Sequence, residues 1–305
     1  MAKTYVPENA ILTMSVDSTS PPKNSDTPLG KVVEYPSAYA PELLFAIPRD
    51  GGRADLGLEV NDGADTATEG VLPFSGEDLW TAYEISACDA QGKPWVAVGE
   101  FILPCESRFI VESKSLKLYL NSLNQHQFAS LQAAQDTIAE DLSRVAAARV
   151  GVQLYSVDAY ARKGLTVFEG RCLDDLAVDC CVYQPDANLL MFTAELAERV
   201  DETVYSHLLK SNCPVTGQPD WATVYIRYSG RAICEHSLLR YLVSFRQHQG
   251  FHEHCVERVF LDILKHCQPS SLVVSARYTR RGGLDINPTR TLSTELVDWA
   301  RTGRQ

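Results

Sequence analysis

The chain has 305 residues, of which 45% are hydrophobic and 22% charged, and a formal net charge of -11 at pH 7. This composition is sufficient for a hydrophobic core in one large domain or two medium ones. The negative charge argues against a protein that binds nucleic-acid backbones through a positively charged surface. No apolar run reaches the roughly 18 residues of a membrane span, and the N-terminus lacks a signal pattern. Nine cysteines without framework spacing predict reduced thiols in the cytoplasm.

The predicted elements form two similar α+β modules, at 67–190 and 191–305, after an extension at 1–66. The extension is rich in Pro, Gly, Ser and Asp, which predicts irregular structure. In each module a hairpin precedes two helices and a further strand, with turns predicted at 89–93 and at Ser229-Gly230. In chain order we expect strands at 79–87 and 94–103, helices at 116–123 and 128–148, strands at 150–157, 223–228 and 231–235, helices at 238–248 and 252–267, and a strand at 271–278.

Two ordered matches between the halves indicate a duplication. In this alignment each half has lost polar groups that the other has kept. We interpret the modules as a fused pair that shares one site, and a scaffold repeat with drifted loops is the alternative. The matches are 71–80 with 212–221 and 119–127 with 241–249, and the contrasting residues are Leu72 with Cys213, Leu79 with Asp220 and Cys234 with Glu112.

The segment 212–221 places Cys213 and Asp220 seven residues apart on a turn shaped by Pro and Gly. Cys213 can act as a nucleophile only as a thiolate, which needs polar, positively biased surroundings. Asp220 can exchange a proton with the atom that Cys213 attacks. Taken alone, the pair is a weak signal, because a lone cysteine is more often a small buried hydrophobic residue.

Two further motifs favour an anionic ligand. Glu112 and Lys114 stand where a predicted strand meets a helix, and free N–H groups there could contact a phosphate; a capped, solvated helix start is the alternative. Arg280 and Arg281 precede two glycines, which suits the approach of backbone to an anion, and a surface loop is the alternative. No Gly-x-Gly-x-x-Gly follows a strand, so a Rossmann domain is not expected.

The cluster at 251–255 allows three interpretations. His, Glu and Cys are metal-ligand types, but their spacing matches no established zinc pattern and no Cys-x-x-Cys pair exists. The cluster could also be a solvated helix start. In the third interpretation Phe251 stacks on a heteroaromatic base while Glu253 accepts hydrogen bonds from the N1–H and 2-amino groups of a guanine edge.

Together these motifs resemble the NADPH-dependent 7-cyano-7-deazaguanine reductases, the nitrile reductases of queuosine biosynthesis, in their two-module branch. The resemblance runs from about Leu72 to the C-terminus and covers 1–66 less closely. It implies an α+β architecture of tandem tunnelling-fold modules, shared with GTP cyclohydrolase I, with antiparallel sheets, helices packed on one face and sites between modules. The motifs that carry the resemblance are 112–119, 213–220, 251–253 and 281–283.

The resemblance also implies roles for individual residues. Cys213 would form a covalent thioimide with the nitrile, Asp220 would protonate the nitrile nitrogen, and His252 would serve proton transfer or closure of the site. It implies NADPH as cofactor, 7-cyano-7-deazaguanine as substrate, no metal, a homodimer and a cytoplasmic location. The implied substrate contacts are Ile110, Val111, Glu112, Phe251, His252 and Glu253, and the implied cofactor contacts are Ser113, Lys114, Arg281 and Gly282.

Two other functions remain open at this point. One is a zinc-dependent pterin-type hydrolase on the same fold, with Cys and His ligands. The other is a non-enzymatic purine-binding module, against which the presence of a nucleophile argues. We also hypothesise a regulatory disulfide between Cys213 and Cys255, the alternative being that Cys255 is simply a buried helix residue.

Overall fold

This computed structural model describes residues 36, 38–58, 72–193, 199–293 and 301–305, and Pro36–Gln305 form one unit. The described segments are of mixed α+β class, as predicted. The strands are β1 (Ala46–Pro48), β2 (Ser75–Cys88), β3 (Pro94–Pro104), β4 (Phe109–Val111), β5 (Gly151–Tyr155), β6 (Arg171–Cys172), β7 (Arg199–Asn212), β8 (Pro219–Arg231), β9 (Ser271–Tyr278) and β10 (Leu284–Thr291). The helices are α1 (Asp50–Ala54), α2 (Ser113–Ser122), α3 (Leu131–Ala146), α4 (Val157–Ala161), α5 (Glu235–Ser244) and α6 (His252–Cys267).

One sheet with the strand order β5-β3-β2-β10-β9-β8-β7-β6 runs through both halves of the chain. Its pairs are antiparallel except for β6 with β7. The halves meet where β10 pairs with β2, from Leu284 opposite Ala82 to Thr291 opposite Ser75. The short strand β6 lies before the module boundary predicted at 190/191 but pairs with β7, beyond that boundary.

The helices α2, α3, α5 and α6 pack on one face of this sheet, as predicted. Alternate residues of the strands, such as Trp80 and Ala82 in β2 and Val224 and Ile226 in β8, enter two apolar clusters beneath the helices. The helix α6 has the predicted bounds because its buried apolar residues recur at helical spacing. Among the described residues, no helix has both the length and the hydropathy needed to cross a membrane.

The duplication is visible in equivalent details of the two halves. Tyr119 in α2 donates a hydrogen bond to Asp141 in α3, and Tyr241 in α5 donates one to Asp262 in α6, both at 2.7 Å. The pairing of β2 with β3 and that of β7 with β8 each contain a register shift, between Ala82 and Ile85 and between Ser206 and Leu209. Glu112 and Cys234 occupy the same position before α2 and α5, so the second sequence match is a structural one.

The first sequence match is wrong, because it lays a strand over a turn. Cys88 ends β2 and Asn212 ends β7, and each forms a parallel bridge, to Gln127 and Gln249 respectively. The turn at 213–218 therefore corresponds to the turn at 89–93, and not to residues 72–77. The register within the hairpins then makes Asp89 the repeat equivalent of Cys213, and Trp95 the repeat equivalent of Asp220. The sequence match had assigned Leu72 and Leu79 to these positions.

The turn predicted at Ser229-Gly230 is also wrong. The strand β8 continues to Arg231, and its hairpin partner is the preceding strand β7. Glycine is required at position 230 for a different reason, since a Cβ there would lie 3.1 Å from the Cα of Pro269. Gly230 thus permits a close approach of two backbone segments rather than a reversal of the chain.

The extension predicted to be irregular contains secondary structure in its described part. β1 pairs with β4, and α1 follows it directly. The prediction of irregular structure was wrong here because it took proline and glycine as signs of a loop. Gly52 instead lies within α1, where any Cβ would collide with the ring of His254 in α6. Residues 1–35, 37 and 59–66 of the predicted extension lie outside the described residues.

Candidate active site

A cavity of about 370 Å³ lies over the junction of β2 with β10. Trp80 of β2 stands opposite Ile286 of β10, and both line the cavity together with Leu284. One wall comes from β4 and the start of α2, in the first half; the other comes from the turn at 213–218 and the start of α6. All of the predicted site residues line this cavity: Ile110, Val111, Glu112, Ser113, Lys114, Cys213, Asp220, Phe251, His252, Glu253, Arg281 and Gly282.

Cys213 is presented by the tight turn between β7 and β8. Its N–H donates to the carbonyl of Gln218 at 2.8 Å, and its carbonyl accepts from the N–H of Gly217 at 2.9 Å. Gly217 has a φ of 68°, a left-handed conformation in which glycine has no steric cost. The turn leaves the Cys213 side chain half-buried at the cavity wall.

The surroundings of Cys213 favour the thiolate. Burial raises the pKa of the thiol, but hydrogen bonds from the Thr216 hydroxyl, from the N–H groups of Thr216 and Val215 and from Arg281 outweigh burial, so the pKa lies below its usual value. Donors that converge on a sulfur atom stabilise its negative charge. The turn therefore supplies the conditions that a nucleophilic cysteine needs.

Asp220 is held between two partners beside the cavity. Its carboxylate lies 3.0 Å from Nε of Arg281 and 3.4 Å from Nε2 of His252. The same arginine donates a second hydrogen bond to Gln218 at 2.8 Å, which ties it to the turn that carries Cys213. Asp220 is itself buried, with 4% of its surface exposed. Its carboxylate is therefore held by these protein contacts rather than by solvent.

Glu253 lies in the first turn of α6 and is 1% exposed. Burial, followed by the nearby carboxylate of Asp78, raises its pKa to about 7, while Arg49 and His252 act in the opposite direction. Among the described residues its Oε1 atom has no hydrogen-bond partner. A buried carboxyl oxygen in a cavity wall without a protein partner is a natural acceptor for a ligand N–H.

Two further buried atoms of the cavity residues are without partners within the part of the chain that the structure describes. They are Nε1 of Trp80 and Nδ1 of His252. With Glu253 they offer one N–H donor, one carboxyl acceptor and one imidazole nitrogen. A flat heterocycle with both donors and acceptors on its edge could satisfy such a set.

Below Glu253 lies a buried network of charges. Arg290 bonds to Asp78 at 2.8 Å and to Glu257 at 2.9 Å, and each of these carboxylates has a second arginine. Arg49 reaches Asp78 at 2.6 Å and Arg53 reaches Glu257 at 2.8 Å. Both of these arginines come from the extension, so its described part supports the floor of the site. Their burial could not be read from a segment whose composition predicts a loop.

Glu112 has a structural task at the start of α2. Its carboxylate accepts hydrogen bonds from the N–H groups of Lys114 at 3.0 Å and Ser115 at 2.6 Å, so it caps the helix. The expectation that these N–H groups are free for a phosphate is therefore wrong. The strand β1 and the residue before it hold this region in place, since β1 pairs with β4 and the N–H of Glu112 donates to the carbonyl of Phe45 at 2.9 Å.

A group of cations borders the cavity near the glycines of 282–283. It comprises Lys114, Lys117 and Arg281, in a chain that is otherwise negative. Lys117 also pairs with Glu84 at 3.4 Å. Gly282 has a φ of 56°, so its backbone can approach a ligand without a side chain in between. Sequence reasoning noted Lys117 only as the second cation of the 112–119 motif and assigned it no contact. It missed Trp80, whose Nε1 has no hydrogen-bond partner among the described residues.

Cys255 is completely buried in α6, and burial raises the pKa of its thiol to about 12. A protonated, buried thiol is a poor partner for thiol exchange. All nine cysteines are free. The disulfide between Cys213 and Cys255 stays a prediction.

Comparisons with known proteins agree with the residue-level resemblance. A family model described as "Nitrile reductase, 7-cyano-7-deazaguanine-reductase N-term" matches residues 35–154, and one described as "QueF-like protein" matches 219–295. The first match begins at residue 35, so the likeness extends into the segment 1–66. A solved structure, that of the archaeosine synthase QueF-Like in the apo form, is 15% identical and covers 34% of this chain and all of its own, with a TM-score of 0.28, too distant to support an inference.

Curated relatives cover nearly the whole chain. The NADPH-dependent 7-cyano-7-deazaguanine reductase of Desulfotalea psychrophila is 50% identical over 284 residues, which are 92% of this chain and 98% of the relative. The reductase of the same name from Teredinibacter turnerae is 52% identical over 267 residues, 88% of this chain and 91% of the relative. The chain belongs to the family of NADPH-dependent 7-cyano-7-deazaguanine reductases.

Proposed function

We propose that this protein reduces the nitrile of 7-cyano-7-deazaguanine to the primary amine of 7-aminomethyl-7-deazaguanine, with NADPH, in queuosine biosynthesis. The observation that carries the proposal is the cavity itself, which joins a thiol of lowered pKa at Cys213 to a buried carboxyl oxygen of Glu253 that has no hydrogen-bond partner in the described part of the chain. A purine-binding module has no use for such a thiol. The family membership favours a reductase over the zinc-dependent hydrolase considered above.

Substrate recognition follows from the atoms without partners. The carboxylate of Glu253 accepts hydrogen bonds from the N1–H and 2-amino groups of the deazaguanine, and Phe251 stacks on its ring. Nε1 of Trp80 donates to an acceptor on the same ring system. Ile110 and Val111 line the base, and Glu112, while capping α2, keeps lone pairs for a further contact.

The covalent step uses Cys213 and Asp220. The thiolate adds to the nitrile carbon, so a C–S bond forms, one C–N π bond breaks, and the nitrogen takes a proton from Asp220. The product of this addition is a thioimide on Cys213. His252, 3.4 Å from Asp220, returns a proton to that carboxylate between turnovers.

The residues at the rim fit the cofactor. Lys114, Lys117 and Arg281 place cations where phosphates can lie, Ser113 offers a hydroxyl at the cavity wall, and Gly282 allows close backbone approach. NADPH supplies hydride when bound, and two equivalents are needed because reduction of a nitrile to an amine takes four electrons. After the thiol of Cys213 leaves, the imine must be kept from water, which the position of the cavity between the two halves favours.

Two coarser features complete the proposal. The protein acts in the cytoplasm, in keeping with its free cysteines, and does not bind nucleic acid, in keeping with its net charge of -11. It forms a homodimer, for which the outer strands β5 and β6 of the described sheet provide edges.

The test is the loss of reduced-nicotinamide absorbance with and without 7-cyano-7-deazaguanine, together with mass analysis of the product. We expect two NADPH consumed for each amine formed. A preparation that is folded and binds the substrate but consumes no NADPH would disprove a reductase and leave a binding module. Release of a hydrolysed base without NADPH would instead indicate a hydrolase.

A further inference from the structure

A second cluster of reactive side chains lies outside the cavity. Cys172 in β6, Asp174 just after it and His207 in β7 each offer one ligand atom, and these atoms lie within 4.8 Å of one another. None of the three residues lines the cavity. Cys172 and Asp174 stand two residues apart, but His207 lies 33 residues after Asp174, so the sequence predicts no metal site and only the fold brings the histidine to the other two residues.

The pairing of β6 with β7 explains the meeting. Cys172 stands opposite Tyr205, and the N–H of Leu173 donates to the carbonyl of Tyr205 at 2.9 Å. His207 follows Tyr205 by two residues, at the register shift of β7. The strand β6 has only two residues, so its parallel pairing with β7 holds this segment weakly. A further link between the two strands would therefore stabilise their attachment.

Asp174 is oriented by the strand that carries His207. Its carboxylate accepts a hydrogen bond from the hydroxyl of Ser206 at 2.6 Å and from the N–H of His207 at 3.1 Å. Two donors fix the plane of the carboxylate and leave lone pairs on both oxygens. The side chain is thus preorganised beside the imidazole rather than extended into solvent.

The imidazole of His207 is oriented as well. Its Nδ1 lies 2.8 Å from the hydroxyl of Thr223, and the ring of Tyr205 packs against it at 5.4 Å between centroids. Thr223 alternates along β8 with the residues that face the helices, so this cluster lies on the opposite face of the sheet. An outer partner on one nitrogen is the usual way in which proteins aim the other nitrogen of a histidine at a metal.

The geometry points to a zinc site formed by Cys172, Asp174 and His207, with water in the fourth position. A thiolate, an imidazole and a carboxylate together suit Zn²⁺, whereas Mg²⁺ and Ca²⁺ prefer oxygen ligands alone. Zinc–ligand bonds are about 2.0–2.3 Å, so tetrahedral closure requires these side chains to move together by about 1 Å. The ion fastens β6 to β7, the strand that leads into the turn of Cys213. It is independent of the proposed reductase activity.

The experiment uses full-length protein stripped of metal with a chelator and titrated with Co²⁺, then with Zn²⁺. We expect one equivalent of Co²⁺ to give thiolate charge-transfer and tetrahedral d–d absorption, and Zn²⁺ to displace it. Thr223→Val keeps the shape of the residue but removes the Nδ1 partner, and should weaken zinc binding by roughly 10–100-fold. Cys172→Ser should weaken it more, and the exposed Cys181→Ser should match the wild type.

A second measurement needs no variant. Zinc should protect Cys172 of the wild-type protein from iodoacetamide, as read by peptide mass mapping, while Cys181 is alkylated at the same rate with and without zinc. Failure to bind one equivalent, thiolate absorption that survives Cys172→Ser, or protection of Cys213 in place of Cys172 would each overturn the site.

Discussion

The imidazole of His252 lies parallel to the ring of Tyr278, with centroids 3.7 Å apart and planes 1° apart. Tyr278 is completely buried at the end of β9, so the stack fixes the plane of the imidazole. The same orientation places Nε2 of His252 3.4 Å from Asp220. A residue that lines no part of the cavity thus positions one that does.

Loss of this stack should slow turnover. Tyr278→Leu removes the flat ring and should reduce kcat by roughly 10–100-fold, because small misplacements of a proton-transfer group are costly. Tyr278→Phe keeps the ring and serves as the matched control, with near-normal kcat expected. Steady-state kinetics with circular dichroism as a folding check would decide; equal losses in both variants would argue against positioning by the stack.

Cys213→Ala should abolish reduction and leave the fold intact, since loss of a half-buried thiol costs on the order of 1 kcal/mol in unfolding free energy. Intact-protein mass measurement with the nitrile substrate should show an adduct on the wild type and none on the variant. Cys181→Ser, which changes an exposed cysteine, should still form the adduct. An adduct that persists without Cys213 would remove this residue from the mechanism.

Asp220→Asn should bind the substrate yet turn over about 10²–10⁴-fold more slowly, the range that general acid catalysis supplies. The amide keeps the size of the side chain beside Arg281 and His252 but cannot donate the same proton. Single-turnover kinetics separate this chemical effect from binding. Near-normal turnover would mean that another group delivers the proton.

Glu253 should make substrate binding depend on pH. Its pKa is raised to about 7, chiefly by burial, so the free protein holds this carboxyl protonated below pH 7 and ionised above it. Because the ionised form accepts both N–H groups of the base, affinity should increase as the pH rises through about 7. Calorimetric titrations on either side of that pH measure the effect, and Glu253→Gln should remove it.

The same residue should separate the two ligands. Glu253→Leu should weaken substrate binding by roughly 2–4 kcal/mol and change NADPH binding much less. Equal losses for both ligands would contradict the assigned role.

The raised pKa of Glu253 also affects stability. It makes the Glu253 contribution to the free energy of unfolding fall as the pH increases from 4.5 through about 7, a decline that Glu253→Gln should lack.

Arg290→Met should destabilise the protein by about 3–5 kcal/mol, because it leaves the buried carboxylates of Asp78 and Glu257 with one arginine fewer. Lys93→Ala, which breaks an exposed pair with Asp89, should cost about 0–1 kcal/mol. Urea unfolding of both variants gives the comparison. Similar small losses would show that Arg49 and Arg53 suffice for the network.

The parts of the fold that local pattern decides could be predicted. The helix α6 and the strand β9 have the predicted bounds, since apolar periodicity and length determine both. The glycine of Ser229-Gly230 was ambiguous, because a turn and a close approach both require a missing Cβ. Only the position of Pro269 beside the strand distinguishes them.

The candidate site divides in the same way. Side chains that carry reactive chemistry, such as Cys213 and Glu253, stand out in a sequence. The N–H of Trp80 becomes informative only once the fold shows it buried and without a partner among the residues that the structure describes. The contribution of Arg49 was hidden for a related reason. Its partner Asp78 is distant in sequence, and its own segment has the composition of a loop.

The shared sheet has a consequence for how the protein can be divided. If the halves were separated, β10 would lose its pairing with β2 along eight residues, from Leu284 to Thr291. Each fragment would then carry a long, unprotected strand edge, the kind of surface that recruits other chains into aggregates. Fragments made separately should therefore need coexpression to stay in solution.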